Sequence, residues 1–403
     1  MSELAAYETD WTGRWHGRAR GLERPSTDEE LAEIVARCAR DGIPITTAGG
    51  RTGLVGGAVP PDDGSAIVVS TERMSGVKVA GDVAIVRAGT ALSDLQRTAR
   101  AFDRHYGVDL AARDSATVGG TIATDAGGVH VVGYGTTGAQ VIGVSVVLAD
   151  GSVHNTSSDV HVAKHALGPD LTSVFVGSEG AFGIITAAMV RLHPLPEQLA
   201  VAIVPVDGID AALRVLTKAR TLPGLQAVEY AESPVVEDSF VLVEVAGPID
   251  VLGVLEPSTA ADDVAGRARL WAQREGATER VAREATERGR PVHKLDIAVP
   301  LLRLAAFRTA LSVVVPAEDL RLWGHLAEGN LHVNVWGDDE VDARVLEVVL
   351  ENGGVISSEH GIGRAKVAAF GDAYPQRAAM LRRIKEAFDP QWMLNPGVLI
   401  TRR

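Results

Sequence analysis

Apolar positions in the first half of the chain follow two alternating rhythms. In "RPSTDEELAEIVARCARDGIPITTAGGRTGLVGG", Leu31, Ile34, Val35 and Cys38 recur at helical spacing. An N-cap signal precedes them (Ser26 or Thr27, with Glu29 or Glu30 three positions on), and Gly42 supplies the stop. Ile43 to Thr47 then reads as a short strand running into a glycine-rich loop. Short strands broken by turns are expected from Ala66 to Ala88, an amphipathic helix in "GTALSDLQRTARAF", and a strand in "VIGVSVVLADGSV" that reverses at Asp150-Gly151. Pro194 and Pro196 mark a boundary.

Beyond the prolines the rhythm changes. "AVAIVPVDGIDAALRVLTKAR" predicts strand then helix, "SFVLVEVAG" a strand, and "STAADDVAGRARLWAQREGATERVAREA" a charged helix. "VHKLDIAVP", a helix from Leu301 to Leu311, and two short strands around "HLAEGNLHVN" follow. Strands and helices joined mainly by hairpin-type links predict an α+β domain with an antiparallel sheet flanked by helices. The C-terminal "MLRRIKEAFDPQWMLNPGVLI" reads as a helix and an extended tail.

At 403 residues, two or three domains are expected. A formal charge of -13 is the wrong sign for nucleic acid or an anionic membrane surface, which removes both as partners. No apolar run reaches the roughly 20 residues of a membrane helix, and "MSELAAYETDWTGRW" lacks a signal-peptide layout, so a cytoplasmic location is expected. The single cysteine, Cys38, lies on an apolar helix stripe and reads as a buried thiol.

Glycine alters the picture most. Forty-three glycines exceed the usual share, and five of them lie between Gly49 and Gly57, directly after a strand. Unobstructed peptide N–H groups there can converge on a phosphate or pyrophosphate; tight turns without a ligand are the alternative. A second tract, "SATVGGTIATDAGGVHVVGYGTTG", could hold another part of one extended cofactor. "GYGTTG" matches G-x-G-x-x-G in form, but a strand follows it where a dinucleotide fingerprint needs a helix. No P-loop motif occurs.

The second centre is "HLAEGNLHVN". A four-residue connection, Ala327 to Asn330, sets His325 near His332, and period-two alternation puts His332 and Asn334 on one face. Two imidazoles suit a divalent metal, and Glu359 of "SSEHGIG" offers the oxygen ligand. A pair of structural histidines is the alternative. His360, next to a ligand in sequence, is expected to point elsewhere and serve as general base.

"RPSTDEEL…GIPITTAGGRTGLVGG", "ATVGGTIATDAGG", "YGTTGAQVIGVSVVLADGSV" and "VGSEGAFGIIT" resemble FAD-binding domains of the vanillyl-alcohol-oxidase (PCMH) type. Their order and spacing are most similar to the FAD-linked D-2-hydroxyacid dehydrogenases, the branch with D-lactate dehydrogenase, the glycolate oxidase D subunit and D-2-hydroxyglutarate dehydrogenase. The resemblance implies a two-lobed FAD-binding domain over 1–195, a substrate or cap domain over 196–375, and a segment 376–403 that returns to the first domain. It implies that Gly49, Gly50, Arg51, Thr52, Gly53 and Leu54 cradle the FAD pyrophosphate, with Thr117, Gly119, Gly120, Thr124, Gly135, Ile185 and Asn395 also lining the cofactor. Arg51 stands where relatives with covalent flavin place a histidine, so the FAD is expected to be non-covalent. H-x6-H and S-x-E-H-G-I-G match the family's metal elements, implying His325, His332 and Glu359 as ligands for zinc, with manganese or iron as alternatives.

Arg274, Thr278 and Lys294 are implied to bind the substrate carboxylate, joined by Asn334; Arg274 and Thr278 are expected on one face of one helix. Arg280, Arg283, Glu284, Glu287 and Arg288 read as a solvated face. The stretch from about Leu222 to Ala268 is shorter than the family pattern. The implied activity is FAD-dependent oxidation of a D-2-hydroxy acid such as 2-hydroxyglutarate or lactate. Electrons would pass to an electron-transfer flavoprotein or a quinone-linked carrier; a homodimer is compatible with this. The rival readings are a non-catalytic flavin-binding subunit of a larger oxidase and a flavin-free metal-dependent hydrolase.

Overall fold

Thr27 opens the first long helix, Asp28–Asp41: its side chain accepts from the Glu30 N–H, and Glu30 in turn accepts from the Ser26 N–H at 2.7 Å. Gly42 closes it in the left-handed conformation at φ 64°. The stripe Leu31, Ile34, Val35 and Cys38 is buried as its spacing requires, and burial raises the Cys38 thiol pKa. The strand after it is Ile45–Ala48 and begins two residues later than the expected Ile43, because Pro44 has no N–H to give to a ladder.

These elements belong to a computed structural model that describes residues 3–157, 168–290, 292–338 and 340–402. The chain forms two compact units. The first comprises residues 1–126, 136–195 and 359–403; the second, 127–135 and 196–358. The division at Pro196 coincides with the proline boundary. The return to the first unit comes at Glu359, earlier than the 376 expected, and the short stretch 127–135 of the second glycine tract joins the second unit.

The first unit contains a three-stranded parallel sheet in the order Gly21–Glu23, Ile67–Ser70, Ile45–Ala48. It also contains a five-stranded antiparallel sheet in which Ile184–Arg191 lies between Val83–Arg87 and Val141–Val147. Val141–Val147 pairs with Val153–Asn155 through the expected turn, where Gly151 has φ 85°.

The second unit is built on a seven-stranded sheet whose pairings are all antiparallel. Its order is Thr259–Ala261, Ala200–Pro205, Phe240–Val245, Leu225–Ala231, Leu320–His325, Asn330–Val335, His293–Ala298. One face packs as a continuous apolar core with residues of the helices Gly208–Ala219, Leu304–Val314 and Val341–Glu351. Part of the other face packs against the helices Val264–Glu275 and Ala277–Arg288.

Candidate active site

In the first unit the loop after Ile45–Ala48 has the chemistry of an anion cradle. Among the described residues, no backbone N–H from Gly49 to Gly57 donates a hydrogen bond, so these donors are available to an anionic ligand. Gly50 is obligatory for closeness: a Cβ there would lie 1.9 Å from the Ser115 carbonyl oxygen. Arg51 adopts φ 55°, and its guanidinium stacks 4.1 Å from the Tyr7 ring centroid. Arg51, Gly53, Gly56 and Gly57 line a cleft together with Tyr7 and Asp10. From the second tract, Thr117 caps the helix Val118–Thr124, which carries Gly119, Gly120 and Thr124. Ile185 is buried on Ile184–Arg191. Thr47 Oγ1 and Ser178 Oγ are among the buried hydroxyls of this unit that have no hydrogen-bond partner among the described residues. An extended, polyanionic cofactor fits this donor-rich set. Gly135, also expected at the cofactor, belongs to the second unit.

Asn395 is tied into the same unit. Its Oδ1 accepts from the Thr47 N–H at 2.7 Å, and its Nδ2 donates to the Glu179 carbonyl at 2.5 Å. Glu179 was not singled out by the sequence, yet its buried carboxylate accepts from the N–H groups of Ile362 (2.7 Å) and Gly363 (2.8 Å). Burial pushes it up to about 7 in spite of those donors. It thereby clamps the turn that follows Glu359 and His360. Gly361, at φ 77°, admits no side chain there, because a Cβ would sit 2.9 Å from Glu179 Cδ. The expected divergence of Glu359 and His360 does not occur: their ligand atoms lie within 4.8 Å of each other. This segment is a bend rather than a strand, so neighbouring side chains do not alternate.

In the second unit, chemistry concentrates on one parity of the sheet. His332 pairs in register with Asp296 on one side and Trp323 on the other; Asn334 pairs with Lys294 and Arg321; His325 pairs with Glu229. The connection is Leu326–Gly329, one residue earlier than expected, because Asn330 already begins the strand. The His325 and His332 rings stand edge to face with centroids 5.4 Å apart. Each has a fully buried carboxylate beside it. Glu229 Oε1 is 2.7 Å from His325 Nδ1, and Asp296 Oδ1 is 3.9 Å from His332 Nδ1. Burial works against ionisation of Glu229, but His325 and the charge of Arg274 beside it outweigh it and hold its pKa below the usual value. Asp296 also accepts from Asn330 Nδ2 at 2.9 Å and from the Ser358 N–H at 3.0 Å. Imidazoles backed by carboxylates are the donor set of a zinc-type centre, so the residues suit a divalent metal.

The carboxylate-binding residues are arranged differently from expectation. Arg274 and Thr278 do not share a helix: one helix ends at Glu275, the next begins at Ala277, and Gly276 separates them. Arg274 is buried, with Nη2 2.7 Å from Glu229 Oε2, while Thr278 is exposed. Lys294 is exposed on the last strand of the sheet, and Asn334 is buried. The charged helix is also less solvated than predicted. Arg321 donates to Glu284 Oε2 at 2.9 Å, Arg288 pairs with Asp319 at 2.7 Å, and Arg280 Nε donates to the Val235 carbonyl at 2.6 Å.

Sequence reasoning missed Glu179, Glu229, Asp296 and the His130–Glu244 contact, at 2.9 Å, whose carboxylate also accepts from Trp271 Nε1 at 2.7 Å. The available signal was a lone acid inside an apolar strand: "LQAVEYA", "FVLVEV", "HKLDIA". Such an acid is costly unless paired, and so it announces a partner.

Residues 19–157 match the family model described as an FAD binding domain, and residues 195–399 match that of the FAD linked oxidases, C-terminal domain. The chain is 32% identical to the mitochondrial D-2-hydroxyglutarate dehydrogenase of Rattus norvegicus, covering 98% of this chain and 80% of that protein. It is 32% identical to a D-lactate dehydrogenase of Archaeoglobus fulgidus, covering 94% of this chain and 90% of that protein. Among solved structures, alkyldihydroxyacetonephosphate synthase is similar in fold, with TM-score 0.70 at 15% identity over 95% of this chain and 76% of that one. Among the described residues no helix is long and apolar enough to cross a membrane.

Proposed function

This chain belongs to the FAD-linked oxidases and is an FAD-dependent oxidoreductase, and from that premise we propose that it oxidises a D-2-hydroxy acid to the 2-oxo acid with the help of a divalent metal. The observation that carries the reading is the polar parity of the second unit's sheet, where His325 and His332 each stand beside a buried carboxylate. When bound, FAD supplies a two-electron acceptor and the metal a Lewis acid for the substrate hydroxyl.

The residues of this chain supply the remainder. His325, His332 and Glu359 are assigned as metal ligands. His360 takes the proton of the C2 hydroxyl. Lys294 and Asn334 are assigned to the substrate's carboxylate end. Arg274 contributes positive charge there, although part of that charge is already matched by Glu229. The loop Gly49–Leu54 holds the pyrophosphate through backbone N–H groups. Arg51, stacked on Tyr7, offers no nucleophile for attachment, so the flavin is held without a covalent bond.

The test is anaerobic mixing of the purified full-length protein with a panel of D- and L-2-hydroxy acids, followed by turnover with a dye acceptor. The flavin should bleach with D-hydroxy acids and not with their L forms, and acid precipitation should leave free FAD in the supernatant. A flavin reduced by no D-2-hydroxy acid would end the substrate assignment, and flavin retained on the precipitate would end the non-covalent one.

A further inference from the structure

Glu229 lies mid-strand, opposite His325 in register, with no solvent exposure. Its two oxygens serve different masters: Oε1 is 2.7 Å from His325 Nδ1, and Oε2 is 2.7 Å from Arg274 Nη2. The arginine contact is one of charge, since among the described residues neither Oε2 nor Arg274 Nε completes an aligned hydrogen bond. Both partners are buried as well, His325 at 5% and Arg274 at 6% exposure, so water competes little for the carboxylate.

We propose that Glu229 is a positioning residue that fixes the tautomer of His325, with the proton on Nδ1 and the lone pair on Nε2, and that Arg274 governs this choice through the shared carboxylate. The inference rests on the assignment of His325 as a metal ligand and extends it inward by two residues. A neutral imidazole has one N–H and one lone pair, and a carboxylate can only accept. The nitrogen facing Glu229 must therefore be the donor, which makes Nε2 the ligating atom.

Glutamine at 229 has the same shape but one oxygen and one NH2. Arg274 has only donors to offer, so it retains the oxygen and turns the amide NH2 towards His325. Nδ1 must then accept, and the proton moves to Nε2, the atom a metal needs. Glu229→Gln should thus invert the tautomer without changing volume. Arg274→Met added to it frees the amide to rotate and present its oxygen to Nδ1–H again, so the second substitution repairs the first. A merely structural ion pair would behave otherwise, because losing its second member adds no repair.

The experiment uses metal-free, full-length protein labelled with 15N-histidine at a pH where imidazoles are neutral. Long-range 1H–15N correlations report each tautomer, with His325 identified by its loss in His325→Asn. The wild type should show Nδ1–H, Glu229→Gln should show Nε2–H, and Glu229→Gln/Arg274→Met should show Nδ1–H again. Zinc affinity, measured by competition with a chromophoric chelator, should fall about 10- to 100-fold in Glu229→Gln and return to within a few fold of wild type in the double variant. An Nε2–H tautomer in the wild type, or an unchanged tautomer in Glu229→Gln, overturns the proposal, and the wild-type reading requires only that His325→Asn fold. Equal zinc affinity in wild type and Glu229→Gln overturns the role toward metal. Tautomers that follow the expected series while the wild type binds no zinc uphold the relay and overturn the metal assignment instead.

Discussion

Leu331 and His332 are consecutive residues of one strand, and the two faces of the sheet they point to obey different rules. On the Leu331 side, Val228, Tyr230, Val243, Leu322, Val333 and Ile297 are buried in one apolar core. On the His332 side, Glu229, Asp296, Arg321, His325 and Asn334 are buried polar groups interleaved with Trp323 and Leu242. The first face gains by excluding water from hydrocarbon and tolerates any residue of suitable shape. The second loses by excluding water and is tenable only because its groups are matched in pairs. Sheet alternation thus separates stability from chemistry at single-residue resolution.

The largest effect is expected on the apolar side. Leu331→Ala should cost about 2–5 kcal/mol of folding stability, read as a lower denaturant midpoint, while the folded fraction keeps its zinc affinity and its KM. A loss below about 1 kcal/mol would mean that this face is not the structural one. An intermediate effect is expected at Lys294. Lys294→Ala should leave stability unchanged and raise KM for the accepted hydroxy acid about 10- to 100-fold, in keeping with roughly 1.5–3 kcal/mol for a charged hydrogen bond. An unchanged KM would remove Lys294 from the site. The smallest effect belongs to Thr278, exposed and beyond the helix break at Gly276. Thr278→Ala should shift stability by less than about 0.5 kcal/mol and KM by less than about twofold. A larger KM change would sharpen the comparison by showing that the chemistry extends past the sheet face.

Much of this was legible beforehand where local chemistry decides the outcome. The Thr27 and Gly42 caps, the hairpin at Gly151 and the antiparallel sheet follow from side chains acting on their own backbone, which a sequence displays. The glycine loop stood out in the sequence because peptide N–H groups unobstructed by side chains suit an anion. What stayed hidden depends on distant partners. Glu229 meets His325 across 96 residues, and Glu179 meets Gly363 across 184. Neither strand pattern nor capping rule carries such information. The break at Gly276 was also missed, because glycine costs a helix only about 1 kcal/mol and its surroundings read as helical.

The hydrogen bonds of Asn395 have a further consequence in time rather than in space. Its contact with Thr47 spans 348 residues of sequence, and the parallel bridge between Ile45 and Leu394 spans one more. The second unit is thus an insertion within the chain of the first, and all of it is made before the last part of its host. Contacts of this separation are slow to close and come late. On a translating ribosome, the strand leading into the glycine loop would wait, one side unpaired, until Leu394 and Asn395 had been made. Completion of the loop's frame is then coupled to the making of this late segment: a chain that stops short of Asn395 keeps the glycines but lacks the tie to Thr47.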